Sequence, residues 1–205
     1  MIQSSVARSV LGMLLGLGVL LAPAAAGAAD TAPESGAPPL AQWVERKFDY
    51  TYMGFTTHYS CDGLEDNVRA VLLALGARKQ DLEIHSSGCT RLIGAPEPFP
   101  GVLAHFWVLQ PVTPEDLGKV GNTALATQWR TVDLNRLLQF RSDLGQGQCE
   151  LLEQLRHKAL PLFTTRNLSF SATCTPHQVT LGSIRFSVDV LRPAPQPGAG
   201  APAAG

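Results

Sequence analysis

The chain is short of most signatures that announce a chemistry. It has 4 cysteines in 205 residues, and none of them forms Cys-x-x-Cys. That removes the common thiol-redox and zinc-ribbon spacings. Neither Gly-x-Ser-x-Gly nor Ser-x-x-Lys occurs, and Gly182-Ser183 lacks the second glycine, so no serine-hydrolase motif is present. No glycine-rich phosphate loop follows a strand pattern. Charge of one sign is also lacking: 16 basic residues face 17 acidic ones, for a net charge of −1. Nucleic acid and anionic membrane surfaces call for a basic patch, so neither is an expected partner. Beyond the first thirty residues no apolar run is long enough to span a bilayer, which takes roughly 20 residues.

The N-terminus carries an address. Arg8 is the only charge before Asp30. The apolar stretch Val10–Leu21 follows, then Pro23 and the small residues Ala24–Ala29. This order is that of a secretory signal peptide over residues 1–29, with cleavage expected between Ala26 and Ala29. Loss of Arg8 takes the net charge to −2. The mature protein is expected in the periplasm or outside the cell, with no integral membrane segment after cleavage. Residues 30–40 and 192–205 are rich in Pro, Ala and Gly and are expected to stay unfolded, because they have little apolar surface to offset the entropy of ordering.

The cysteines divide the remainder into two look-alike halves. Trp43 precedes Cys61 and Cys89 at spacings of 18 and 28 residues, and Trp129 precedes Cys149 and Cys174 at 20 and 25. In the first half, Val44–Tyr52 alternates as a half-buried strand. Asp62 and Glu65 have the spacing of a capping box ahead of a helical stripe, Leu64, Val68, Val71, Leu72 and Leu75. Gly76 stops that helix. Asp81–Ser86 alternates with Leu82 and Ile84 inward, and Val102–Gln110 is apolar on both faces, as a central strand is. In the second half Gln128–Leu134 is a weaker strand. Cys149 opens a helix with Leu152, Leu155, Ala159 and Leu162 on one stripe. Leu168, Phe170, Ala172 and Cys174 alternate with polar residues, and so do Ile184, Phe186, Val188 and Val190.

The expected fold is therefore α+β: two similar β-α-β-β units, residues 41–111 and 112–191, with helices packed on a largely antiparallel sheet. A strand running back along its preceding helix ends near where the helix began. This pairs Cys61 with Cys89 and Cys149 with Cys174, and disulfides fit the exported location.

Few residues stand out as a site. The loop Gly54–Cys61 is polar and aromatic and leads into a helix N-terminus, so Thr56, Thr57, His58 and Tyr59 are the candidate ligand loop. His58, His85 and His177 each lie near a cysteine and are the alternative metal set, for copper or zinc. Cysteines used as staples are not available as ligands, so no metal and no cofactor is expected. Trp43, Trp107 and Trp129 are assigned to core or sheet packing ahead of ligand stacking. Asn167-Leu168-Ser169 is a glycosylation sequon that matters only in a eukaryotic host. The stretches Gly54–Arg78, Cys149–Leu155 and Cys174–Leu181 resemble a group of uncharacterised secreted proteins of Gram-negative bacteria. That resemblance implies a periplasmic setting and brings no activity. The expected role is thus a non-catalytic module that binds a protein or envelope ligand, with periplasmic metal handling or thiol redox through His and Cys as the alternative.

Overall fold

The computed structural model describes residues 39–55, 57–90, 96–135, 148–173 and 184–195. The expected signal, residues 30–38 and 196–205, Thr56, His177 and Cys174 lie outside that set, whereas Leu40, Arg192 and Pro193, expected to stay unfolded, are strand residues because they pair in the sheet.

The described residues form a mixed α/β fold on one six-stranded antiparallel sheet. Its strands are β1 (Leu40–Thr51), β2 (Glu83–Ser87), β3 (Gly101–Pro111), β4 (Leu125–Asp133), β5 (Thr165–Ala172) and β6 (Ile184–Pro193). Their order across the sheet is β2-β3-β1-β4-β6-β5. The helices are α1 (Cys61–Leu75), the short α2 (Leu117–Val120) and α3 (Gln148–Lys158). β1 and β4 meet through the pairs Leu40–Ala126 and Ala41–Leu125. Outward from there, Trp43 pairs with Leu109 on β3, and Trp129 pairs with Leu191 on β6.

The period-two pattern decides which face each strand buries. Phe48 and Tyr50 of β1, Ile84 of β2, Val102, Ala104, Phe106 and Val108 of β3, and Phe186, Val188 and Val190 of β6 are buried. They share one core with Leu64, Val68, Val71, Leu72 and Leu75 of α1 and with Leu151, Leu152 and Leu155 of α3. This non-directional burial is the main stabilising term. The opposite face carries Glu45, Lys47, Asp49, Glu83, His85, Leu103 and His105 by the same register. A smaller cluster, Ala41, Leu109 and Leu191 with Trp43, Leu125 and Trp129, lies outside the main core.

Four local expectations need correction. β1 begins four residues before Val44, because Leu40 and Ala41 pair with β4. The N-cap of α1 is Ser60, whose hydroxyl accepts the Gly63 N–H at 3.2 Å. Asp62 therefore lies in the first turn, where a carboxylate still favours the positive end of the helix. Glu65 turns to Arg69 at 2.8 Å and accepts the Ser86 hydroxyl at 2.8 Å instead of closing a capping box. β3 is flanked by two strands but its second face is buried only in part: Leu109 is covered while Leu103 remains 48% exposed. Leu168 is also exposed, because a bulge between Arg166 and Ser169, with Asn167 at φ 51°, throws it off the alternation.

Gly76 ends α1 as expected. Its φ of 117° is left-handed, and its N–H reaches the carbonyls of Leu72 and Leu73. No basic residue of α1 itself lies in its last turn. Arg192 of β6 supplies that charge, donating to the carbonyls of Leu73 at 2.9 Å and Ala74 at 2.5 Å.

Candidate functional site

Cys61 and Cys89 are joined, with Cα atoms 6.2 Å apart across 28 residues. The strand-back-along-helix geometry is thus realised in the first half. Cys149 is not a free thiol, and no cysteine among the described residues is free. The expected Cys149–Cys174 pair falls partly outside the described residues.

The disulfide stands at one rim of the sheet, between two loops. Tyr52 N–H bonds the Pro100 carbonyl at 2.9 Å, continuing the β1–β3 ladder past its end. Glu97 N–H bonds the Tyr59 carbonyl at 3.0 Å, and Ser60 bridges to Pro96. The buried Glu97 carboxylate accepts the Thr90 N–H at 2.9 Å and its hydroxyl at 3.2 Å. The rim is also tied to α3, nearly a hundred residues away in sequence. Glu150 accepts from the Phe55 N–H at 2.9 Å and the Tyr52 hydroxyl at 3.2 Å. Gln154 accepts the Met53 N–H and the Tyr50 hydroxyl and donates to the Met53 carbonyl. Burial, then the neighbouring Tyr59, pushes the Tyr50 and Tyr52 hydroxyls far above the usual tyrosine range; Glu150 adds to the effect on Tyr52. Both therefore act as neutral donors.

Onto this fixed frame the rim presents apolar side chains to solvent. Met53 is 63% exposed, Phe55 71% and Phe99 59%. Met53 and Phe99 each stand one residue beyond the Tyr52–Pro100 bond, just past the end of β1 and just before β3. The four residues singled out from sequence divide here. Tyr59 is buried and packs edge-on against Tyr52 with ring centroids 4.9 Å apart. Thr57 is half-buried, His58 is exposed, and Thr56 lies outside the described residues. The exposed side chains at this loop are thus the polar His58 and the apolar Met53 and Phe55. Three large apolar residues within the exposed ends of two loops are the signal that could have found this rim.

The face away from the helices holds a second surface. A groove of about 410 Å³ is lined by Lys47, Asp49, Glu83, His85, Leu103 and His105. His105 Nε2 contacts Glu45 Oε1. Closer to the sheet centre, the Arg78 guanidinium lies 5.4 Å from the Trp43 ring, and that of Arg166 lies 4.4 Å from the Trp129 ring. Arg166 also pairs with Asp189 at 3.3 Å. Trp43 and Trp129 thus serve packing, as expected, with a cation over each ring. Neither arginine was singled out from sequence, because each reaches its tryptophan from a different strand or loop.

Of the alternative metal set, His85 stands exposed on β2 and His58 on the rim, while His177 is outside the described residues. Among the described residues no three His, Cys, Asp or Glu side chains are gathered for a metal ion. No helix there is long and apolar enough to cross a membrane. The disulfide fits a periplasmic or extracellular protein. No protein-family model, curated protein or solved structure matches the chain.

Proposed function

We propose that the mature protein is a non-catalytic binding module of the periplasm, which holds a protein or envelope partner against its disulfide-braced rim. The observation that carries this is the exposure of Met53, Phe55 and Phe99 together, at 63%, 71% and 59%. Apolar side chains grouped on the surface mark interaction sites, whereas scattered ones do not. Gln154 and Glu150 hold the backbones of Met53 and Phe55, so little ordering entropy is left there to lose on binding.

The finer architecture belongs to the same proposal. The two halves are copies of one β-α-β-β unit, each stapled by its own disulfide, the second being Cys149–Cys174. Three matched details support this. Val112 N–H bonds the Leu40 carbonyl and Ala194 N–H bonds the Ala126 carbonyl, both at 2.9 Å. Val108-Leu109-Gln110-Pro111 ends β3 as Val190-Leu191-Arg192-Pro193 ends β6. The Trp43–Arg78 pair has its counterpart in Trp129–Arg166.

The binding claim is tested by a photo-crosslinking residue placed at Phe55 or Phe99 in secreting cells, with the same residue at Leu117 as the control. A discrete adduct from the rim positions and none from the control is expected, and it is lost in Met53→Ser. Equal labelling at all three positions, or none at the rim, overturns the proposal. Intact mass after alkylation tests the staples: any accessible thiol in the unreduced protein contradicts them.

A further inference from the structure

The groove on the open face brings together residues that the rim does not use. β2 presents Glu83 and His85 two positions apart, hence on one face, and β3 presents His105 directly opposite Glu83. We propose that Glu83, His85 and His105 form a binding site for a divalent transition metal, zinc or copper. Cβ atoms of directly opposed residues lie about 4.5–5.5 Å apart and diagonal ones about 7–8 Å, within reach of long and aromatic side chains. Two imidazoles and a carboxylate are a donor set that suits these ions, with a fourth position open to water or ligand.

A second observation points the same way. His105 is held from its far side: its Nε2 contacts Glu45 Oε1 on β1, across the strand from Glu83. A carboxylate on Nε2 takes the N–H there and leaves Nδ1 with the lone pair. A metal-ligating histidine has this support in almost every site, because it fixes the tautomer and raises the basicity of the ligand. In the present rotamers the donors are not gathered. The proposal requires them to rotate toward one another, and Glu83 and His85 are exposed. Two further charges line the groove. Lys47 is paired with His105 and opposes a bound cation, while Asp49 favours one.

The test uses the tag-free mature protein with its disulfides intact, stripped with a chelator and titrated calorimetrically with zinc chloride or copper sulfate at neutral pH. One metal per chain is expected. His85→Ala and His105→Ala each abolish that binding, and Glu45→Gln weakens it about 10–100-fold. Lys47→Ala tightens it, and His58→Ala leaves it unchanged. Affinity falls as the pH is lowered, because protons compete with the metal for its ligands. If either histidine variant melts early, Glu83→Gln, at a position that supports no core contact, reads the same site. No binding, or one-to-one binding that survives both histidine variants or disappears with His58→Ala, overturns the proposal. The rim is untouched by these variants, so its crosslinking stands or falls separately.

Discussion

Removing the Cys61–Cys89 bond offers the sharpest quantitative check on how this fold is held. The bond closes a loop across 28 residues. On the chain-entropy relation this withdraws about 12 cal/mol/K from the unfolded chain, or about 3.6 kcal/mol near room temperature. In a domain of this size each kcal/mol moves the melting midpoint by about 2–4 °C. The double variant Cys61→Ala/Cys89→Ala is therefore expected to melt about 7–14 °C below the parent, because native contacts of the core are unaltered and the loss is in the unfolded state. Differential scanning calorimetry on both proteins measures it, and urea unfolding checks that the free-energy difference agrees. The alternative is that the bond acts mainly by holding native loops, since Ser60–Pro96, Tyr59–Glu97 and Thr90–Glu97 already link the same segments. Then hydrogen exchange would quicken only at the rim, with the midpoint shifted by less than about 3 °C. That result would refute the entropic account.

Three further perturbations probe other parts of the fold. Phe106→Ala, at a fully buried position stacked 5.6 Å from Phe163, should cost about 3–5 kcal/mol in urea unfolding, whereas Leu103→Ala on the open face should stay within about 0.5 kcal/mol. Gly76→Ala forces a side chain into a φ of 117° with its Cβ 3.3 Å from the Leu191 carbonyl, and should lose at least about 1 kcal/mol by the same assay. Asp189 is held below the usual carboxylate range, chiefly by the Thr131 hydroxyl and then by Asn167 and Arg166. A depressed folded pKa stabilises above the unfolded value of about 3.9 and loses that stability as the pH falls through the folded value. The stability gap between the parent and Asp189→Asn should therefore be full at neutral pH and close in acid; a gap independent of pH would contradict this.

Much of the local structure was legible in the residues because it depends on neighbours in sequence. The alternation at Ile184–Val190, the helical stripe from Leu64 to Leu75 and the stop at Gly76 each repeat at the period of the element they form. The Cys61–Cys89 pairing was legible for the same reason, since one helix and one returning strand set the distance. The capping box was misread because Asp62 and Ser60 are both capable caps, and helix entry is decided by where the Tyr59–Glu97 and Ser60–Pro96 contacts hold the chain. Within the candidate loop the sequence did not separate the residues by burial: Tyr59 is drawn into the core beside Tyr52, while His58, Phe55 and the preceding Met53 stay exposed.

The sequence by itself determined the main strands and the two long helices, their order, most of the inward faces and the first staple. Each of these follows from periodicity, capping or chain reach over about thirty residues. Only the tertiary structure decided that β1 and β4 meet at the sheet centre and that Glu150 and Gln154 brace a loop nearly a hundred residues away. The same holds for Arg78 and Arg166 over their tryptophans, and for His105 standing between Glu45 and Glu83. Those contacts depend on which strands pair and in what register. Register is a collective outcome of burying one face of the whole sheet, and no short stretch of chain encodes it.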